Sequence, residues 1–136
     1  MTTLQDEIQQ LIKPNLRKRL YVAFSYPVAP VEEIVPHIPE HLRYMMEFED
    51  HVFLSGPFIT EGQPVGEGMT VLYADSEQKA AEFMQNEPFI RRGLRRFEIK
   101  LWELREGTLS VKTKLSESRF DLDRGGPVRS DSHHAI

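Results

Sequence analysis

The stretch from Asp75 to Trp102 constrains this chain most, because it places a helix, a break and a strand in immediate succession. Asp75 or Ser76 can cap the helix, and Asp75 with Gln78 has capping-box spacing. Ala80, Phe83 and Met84 recur on one helical face, and the small alanines let that face lie close to a sheet. Pro88 lacks the amide hydrogen a helix interior needs, so the helix is expected to stop there, before a turn closed by Gly93. From Arg96 to Leu104, Phe97, Ile99 and Leu101 alternate with Glu98, Lys100 and Trp102, the pattern of a strand. Glu87 falls at the break, where a side chain can point into a cleft rather than a core.

Upstream, Leu20, Val22 and Phe24 alternate with Tyr21, Ala23 and Ser25, a first strand closed by Pro27 and Pro30. Prolines at 36 and 39 limit residues 31–39 to one helical turn. Pro39 suits the first position of the next helix, expected to run to about Asp50. Leu42, Met45, Met46 and Glu49 would form one side of it, and His41, Tyr44 and Phe48 an adjacent one. A second strand, His51 to Phe58, is expected to set Val52 and Leu54 against Phe53 and Ser55, with Gly56-Pro57 marking an edge or a bulge. Glu61 to Gly68 reads as a mobile loop, and Met69 to Ala74 as a third strand. After the turn at Glu106-Gly107, Leu109, Val111 and Thr113 suggest a fifth strand hairpinned to the fourth. Beyond Glu117 the chain is polar and turn-rich, a tail expected to be ordered by a partner.

At the other end, Leu4, Ile8, Leu11 and Ile12 share one face of a short helix ended by Pro14. So short a helix does not persist alone in water, so it must dock on its own domain or on a second subunit. The basic run Lys13, Arg17, Lys18 and Arg19 reads as a solvated linker.

The order strand, helix, strand, strand, helix, strand is βαββαβ, the split βαβ arrangement of ferredoxin-like α+β domains. Such a sheet carries both helices on one face and is expected to leave the other bare; an apolar face of that kind is an interface, and a two-fold homodimer closes it most simply. The expected organisation is an N-terminal helical arm (1–18), the ferredoxin-like domain (19–106) and a C-terminal extension (107–136). With 136 residues, 40% of them hydrophobic, one core can bury enough apolar surface without staples. Cysteine is absent, which excludes disulfides, thiolate metal sites and a cysteine nucleophile. A net charge of −4 argues against a nucleic-acid footprint. No apolar run is long enough for a membrane span and no signal pattern opens the chain, so a cytoplasmic location is expected.

Several segments in this order resemble the YCII-related family of the dimeric α+β barrel superfamily: Pro39-Glu40-His41-Leu42-Arg43-Tyr44-Met45, Leu54-Ser55-Gly56-Pro57-Phe58, Gly68-Met69-Thr70-Val71, Ala74-Asp75-Ser76 and Glu87-Pro88-Phe89-Ile90-Arg91-Arg92-Gly93-Leu94. Trp102 after the last strand fits as well, and the resemblance spans about Leu20 to Leu104. It implies a ferredoxin-like protomer pairing through its sheets into a barrel. It also implies a histidine–aspartate pair in a cleft. His41 takes the histidine's place, and Glu87 the place of the aspartate in the family's Asp-Pro-Phe motif. Glutamate keeps the charge, but its extra methylene moves the carboxylate. Some relatives are similar to lyases that remove halide from hydroxylated chloroaromatics, so the resemblance implies an enzyme without naming its reaction; the expectation here is a lyase or isomerase of small molecules that uses no cofactor.

Imidazole beside a carboxylate is suited to general acid–base work near neutral pH; the plainer reading of His41 is a half-exposed helix histidine, and of Glu87 a helix-end carboxylate. Ser55 can donate to a substrate oxygen. Arg91, Arg92, Arg95 and Arg96 crowd around Gly93; one of them could hold a carboxylate or phenolate through two parallel hydrogen bonds, and Arg91 and Arg92 are the candidates, with Tyr44 lining an apolar pocket. His37 and His41 are four apart, but the intervening Pro39 argues against a shared metal, and His133-His134 sits in the tail. No metal is expected. The competing class is a dimeric module that binds a small acid or a protein partner without chemistry.

Overall fold

A computed structural model describes residues 2–117 and 119–123. The chain divides into two compact units. One is Arg17–Leu104, and described residues from both ends of the chain group into the other. No helix among the described residues is long and apolar enough to cross a membrane.

The larger unit begins with β1 (Lys18–Pro27), α2 (Val31–Ile34) and α3 (Ile38–Glu47). It continues through β2 (Val52–Thr60), β3 (Gln63–Leu72), α4 (Glu77–Gln85), α5 (Pro88–Arg91) and β4 (Arg95–Leu104). The four strands form one antiparallel sheet in the order β2-β3-β1-β4, the ferredoxin-like order the element sequence predicts. The basic run is not all linker: Lys18 and Arg19 open β1, and Arg19 Nε reaches Glu103 Oε1 across the ladder at 3.3 Å.

Two departures in the sheet have a physical cause. Val52 pairs with Leu72 and Leu54 with Val71, leaving Phe53 as an extra residue in a bulge. An extra residue reverses the alternation after it. Val52 therefore joins the helix-side cluster of Ala23, Leu72, Ala80 and Met84, while Phe53 packs on Leu20, Val22 and Val71 on the opposite face, and Ser55 returns to the helix side opposite Thr70. The expected grouping of Val52 with Leu54 is thus wrong. Nor is 61–68 a loop. Thr60 pairs with Gln63, and the turn is Glu61-Gly62 alone, both with positive φ (53° and 78°), as a two-residue hairpin of matching twist requires. Gln63 and Pro64 pair with β2, a register shift follows, and the β1 ladder begins only at Ser25 and Gly68, so Pro64 and Gly66 break no row of hydrogen bonds to β1.

Ser76 caps α4, accepting from the Lys79 amide. The two alanines Ala23 and Ala80 are completely buried, which brings α4 down onto β1. The face expected to be bare already buries Leu20, Val22 and Val71, packed by Phe24, Phe53 and Met69. On α3 the apolar side chains Leu42 and Met46 are exposed, and the adjacent side carrying His41 and Tyr44 turns inward instead.

In the second unit, α1 (Leu4–Ile12) is closed by a reciprocal capping box between Thr3 and Asp6. β5 (Ser110–Lys114) pairs with β6 (Arg119–Asp123), not with β4, so the predicted hairpin partner is corrected. Gly125-Gly126-Pro127 and His133-His134 lie outside the described residues.

Candidate active site

Pro88 does not end a helix; it opens one. Helix α4 finishes at Gln85, and Pro88, whose missing amide hydrogen costs nothing in a first turn, begins the single turn α5. Glu87 is the residue before it and caps it: Oε1 accepts from the Phe89 amide and Oε2 from the Ile90 amide, each at 3.1 Å. Leu94 and Gly93 close the far end by donating to the Phe89 and Ile90 carbonyls at 2.9 Å, with Gly93 at φ +73°. That is a Schellman ending, which needs a residue content with positive φ. The turn is therefore fixed at both ends, and Glu87 with it.

His41 lies in the first part of α3, and its Nδ1 sits 2.7 Å from Glu87 Oε1. Glu87 is 3% exposed. A buried carboxylate is costly unless donors surround it, and here two amides and an imidazole do so. With Glu87 accepting throughout, Nδ1 carries a hydrogen, so the neutral form of the ring is the tautomer with its lone pair on Nε2. The imidazole also stacks on Phe89, centroids 4.6 Å apart and planes at 16°, and keeps 29% of its side chain exposed. The result is a ring of fixed tautomer and orientation that solvent can still reach.

The other expected residues divide. Tyr44 donates its hydroxyl to the Phe83 carbonyl at 2.6 Å, tying α3 to α4, and burial together with the nearby Glu87 charge pushes its pKa up to about 12. Arg91 and Arg92 both end on Glu40, each at 2.9 Å, and the hydrogen bond from Arg92 holds the Glu40 carboxyl below its ordinary range. Ser55 shares a 2.8 Å hydrogen bond with Thr70. His37 turns its Nδ1 toward Glu40 at 3.7 Å, so the two imidazoles of the 37/41 spacing serve different carboxylates. Two clefts of about 580 Å³ flank this region. One includes Lys18, His51, Tyr73 and Phe83, the other Glu40, Tyr44, Phe48 and Arg91; neither is lined by His41 or Glu87.

Arg95 was the arginine to single out. It shares a strand face with Phe97 and Ile99, and a cation on the apolar side of an alternating strand is a signal the sequence carries. Its Nε donates to Ser25 Oγ at 2.8 Å and its Nη2 to the Ser25 carbonyl at 3.0 Å.

A four-stranded ferredoxin-like α+β domain that presents a histidine against a buried glutamate defines the class. Within it, residues 19–103 match the family described as the YCII-related domain, and the chain belongs to that family. Among solved structures it is similar to 5-chloro-2-hydroxyhydroquinone dehydrochlorinase (TftG) from Burkholderia phenoliruptrix AC1100, solved as a complex with 2,5-dihydroxybenzoquinone. The similarity covers 61% of this chain and 92% of that one, with a TM-score of 0.53 and 18% identity, a likeness of fold. No curated protein matches the sequence.

Proposed function

We propose that this chain is a small-molecule enzyme in which His41, oriented by Glu87, moves a proton on a ring or an α-carbon, as a lyase or isomerase. The 2.7 Å contact between Nδ1 of a partly open imidazole and a buried carboxylate carries the reading. Nε2 takes a proton from a saturated carbon beside a saturated C–X carbon, which a halogenated hydroquinone ring presents in its dione tautomer. The electron pair of that C–H bond becomes the new double bond, and the C–X pair leaves with the halide. In an isomerisation the same imidazole returns its proton elsewhere. Glu87 stabilises the imidazolium that forms in either case. Neither sequence of steps calls for a cofactor. Family membership and the likeness in fold to a dehydrochlorinase favour a hydroxylated or halogenated ring as substrate. The working form is a homodimer paired through the sheet face opposite the helices, where Trp102 and Leu54 are exposed.

The competing reading, a module that binds a small acid without turning it over, draws support from the two clefts, neither of which His41 or Glu87 lines. Chloride release from chlorinated hydroquinones separates the two. The wild-type protein is expected to release chloride, His41→Ala to lose roughly 10²–10⁴-fold, and Glu87→Gln to lose less. Unchanged release by His41→Ala removes the pair from the chemistry. Ring binding by the wild type with no release of chloride favours the module.

A further inference from the structure

Resting on the reading of a ring substrate at His41, we propose that Arg95 selects that substrate by holding an anionic oxygen on it, a carboxylate or ring oxyanion, with the free edge of its guanidinium.

Four arginines flank Gly93, and three are satisfied within the protein. Arg91 and Arg92 share Glu40, and Arg96 reaches Glu98 at 3.3 Å. Arg95 has no carboxylate within 4.0 Å among the described residues, and it is also the least exposed of the four. Glu87 attracts Arg95 only through space: its oxygens accept from α5 and His41, and it makes no ion pair with the guanidinium among the described residues. A cation partly withdrawn from water without a carboxylate in direct contact raises the free energy of the fold. The same burial pulls the Arg95 pKa below its ordinary value, against the fields of Glu87 and Glu67. A bound anion removes that imbalance.

Ser25 takes Nε and one Nη2 hydrogen. A guanidinium has five N–H donors, so both on Nη1 and one on Nη2 remain, on a group whose orientation is already fixed. Its carbon lies 6.0 Å from the Phe89 ring centre, and the same ring stacks on His41 at 4.6 Å. End to end, those two distances cap the separation of guanidinium and imidazole at about 11 Å. One substituted aromatic ring with a hydrogen bond at each end fits within that limit. The plain alternative is that Arg95 merely braces β1 to β4 through Ser25, which predicts a stability effect and no preference for anions.

The test is a calorimetric titration with benzoate, 4-hydroxybenzoate and the neutral isostere benzamide. The wild type is expected to prefer benzoate over benzamide by about tenfold or more, the scale of a charge-assisted pair. Arg95→Gln should abolish that preference, Arg95→Lys should retain part of it, and Arg96→Ala should leave it intact. His41→Ala should also retain it, which distinguishes failure of proton transfer from failure of anion binding. Equal binding of acid and amide by the wild type, no binding of either up to about 10 mM, or a preference that survives Arg95→Gln overturns the proposal. Should Arg95→Gln not fold, the Arg95 Hε resonance of the wild-type protein gives the same answer. It is expected to shift with benzoate and not with benzamide, and a resonance unmoved by benzoate overturns the proposal equally.

Discussion

Glutamate at position 87 combines two tasks: it caps a helix turn and it orients an imidazole. Shorter side chains are the usual caps because they reach the following amides directly. The extra methylene here still allows both oxygens to meet the Phe89 and Ile90 amides, with Oε1 shared by His41. The family resemblance implies the pair, but with the two residues 46 positions apart no local pattern shows the contact itself. Tyr44 lines one of the two clefts and also braces α3 on the Phe83 carbonyl. Its pKa in the fold is about 12 against an ordinary 10, so the folded state favours the protonated phenol. That stabilisation is fully present below pH 10 and is lost as pH rises from there through about 12. Thermal melts of wild type and Tyr44→Phe should therefore differ most below pH 10 and converge toward pH 12, and a constant difference across that range would contradict the assignment.

Elements were more legible than their pairings. Alternation located β1 and β4 to within a few residues, because period-two patterning is a local property. The bulge at Phe53 is not local: whether one residue is extra depends on what lies opposite it, and that is set by β3. The same limit produced the wrong partner for β5, since Glu106-Gly107 signals a turn without saying what the next strand pairs with. Helix α3 is held to α5 by Glu40 between Arg91 and Arg92. Glu40 has a lowered pKa in the fold, so this clamp is complete above the ordinary carboxylate value of 4.5 and weakens as pH falls below it. The protection factors of the α5 amides against hydrogen exchange should fall as pH drops below 4.5 in the wild type. In Glu40→Gln protection should already be low at pH 6, and identical protection in the two proteins would show the clamp to be idle.

For the whole molecule, the expectation of a sheet-to-sheet dimer turns on Trp102, 42% exposed and on the same face as the buried Leu20 beside it. Light scattering is expected to give about 31.6 kDa, twice the 15.8 kDa chain, with Trp102→Glu shifting it to the single-chain mass. A wild-type protein that scatters as one chain at micromolar concentration would end that proposal. The sequence alone determined the βαββαβ order, the family and the two ends of the His41–Glu87 contact, because periodicity, capping residues and short motifs are written in neighbouring positions. Tertiary structure decided which side of α3 turns inward, where the bulge falls and which of four adjacent arginines makes no direct ion pair among the described residues. Those are relations between residues far apart in the chain, fixed by burial and register, and no local pattern encodes them.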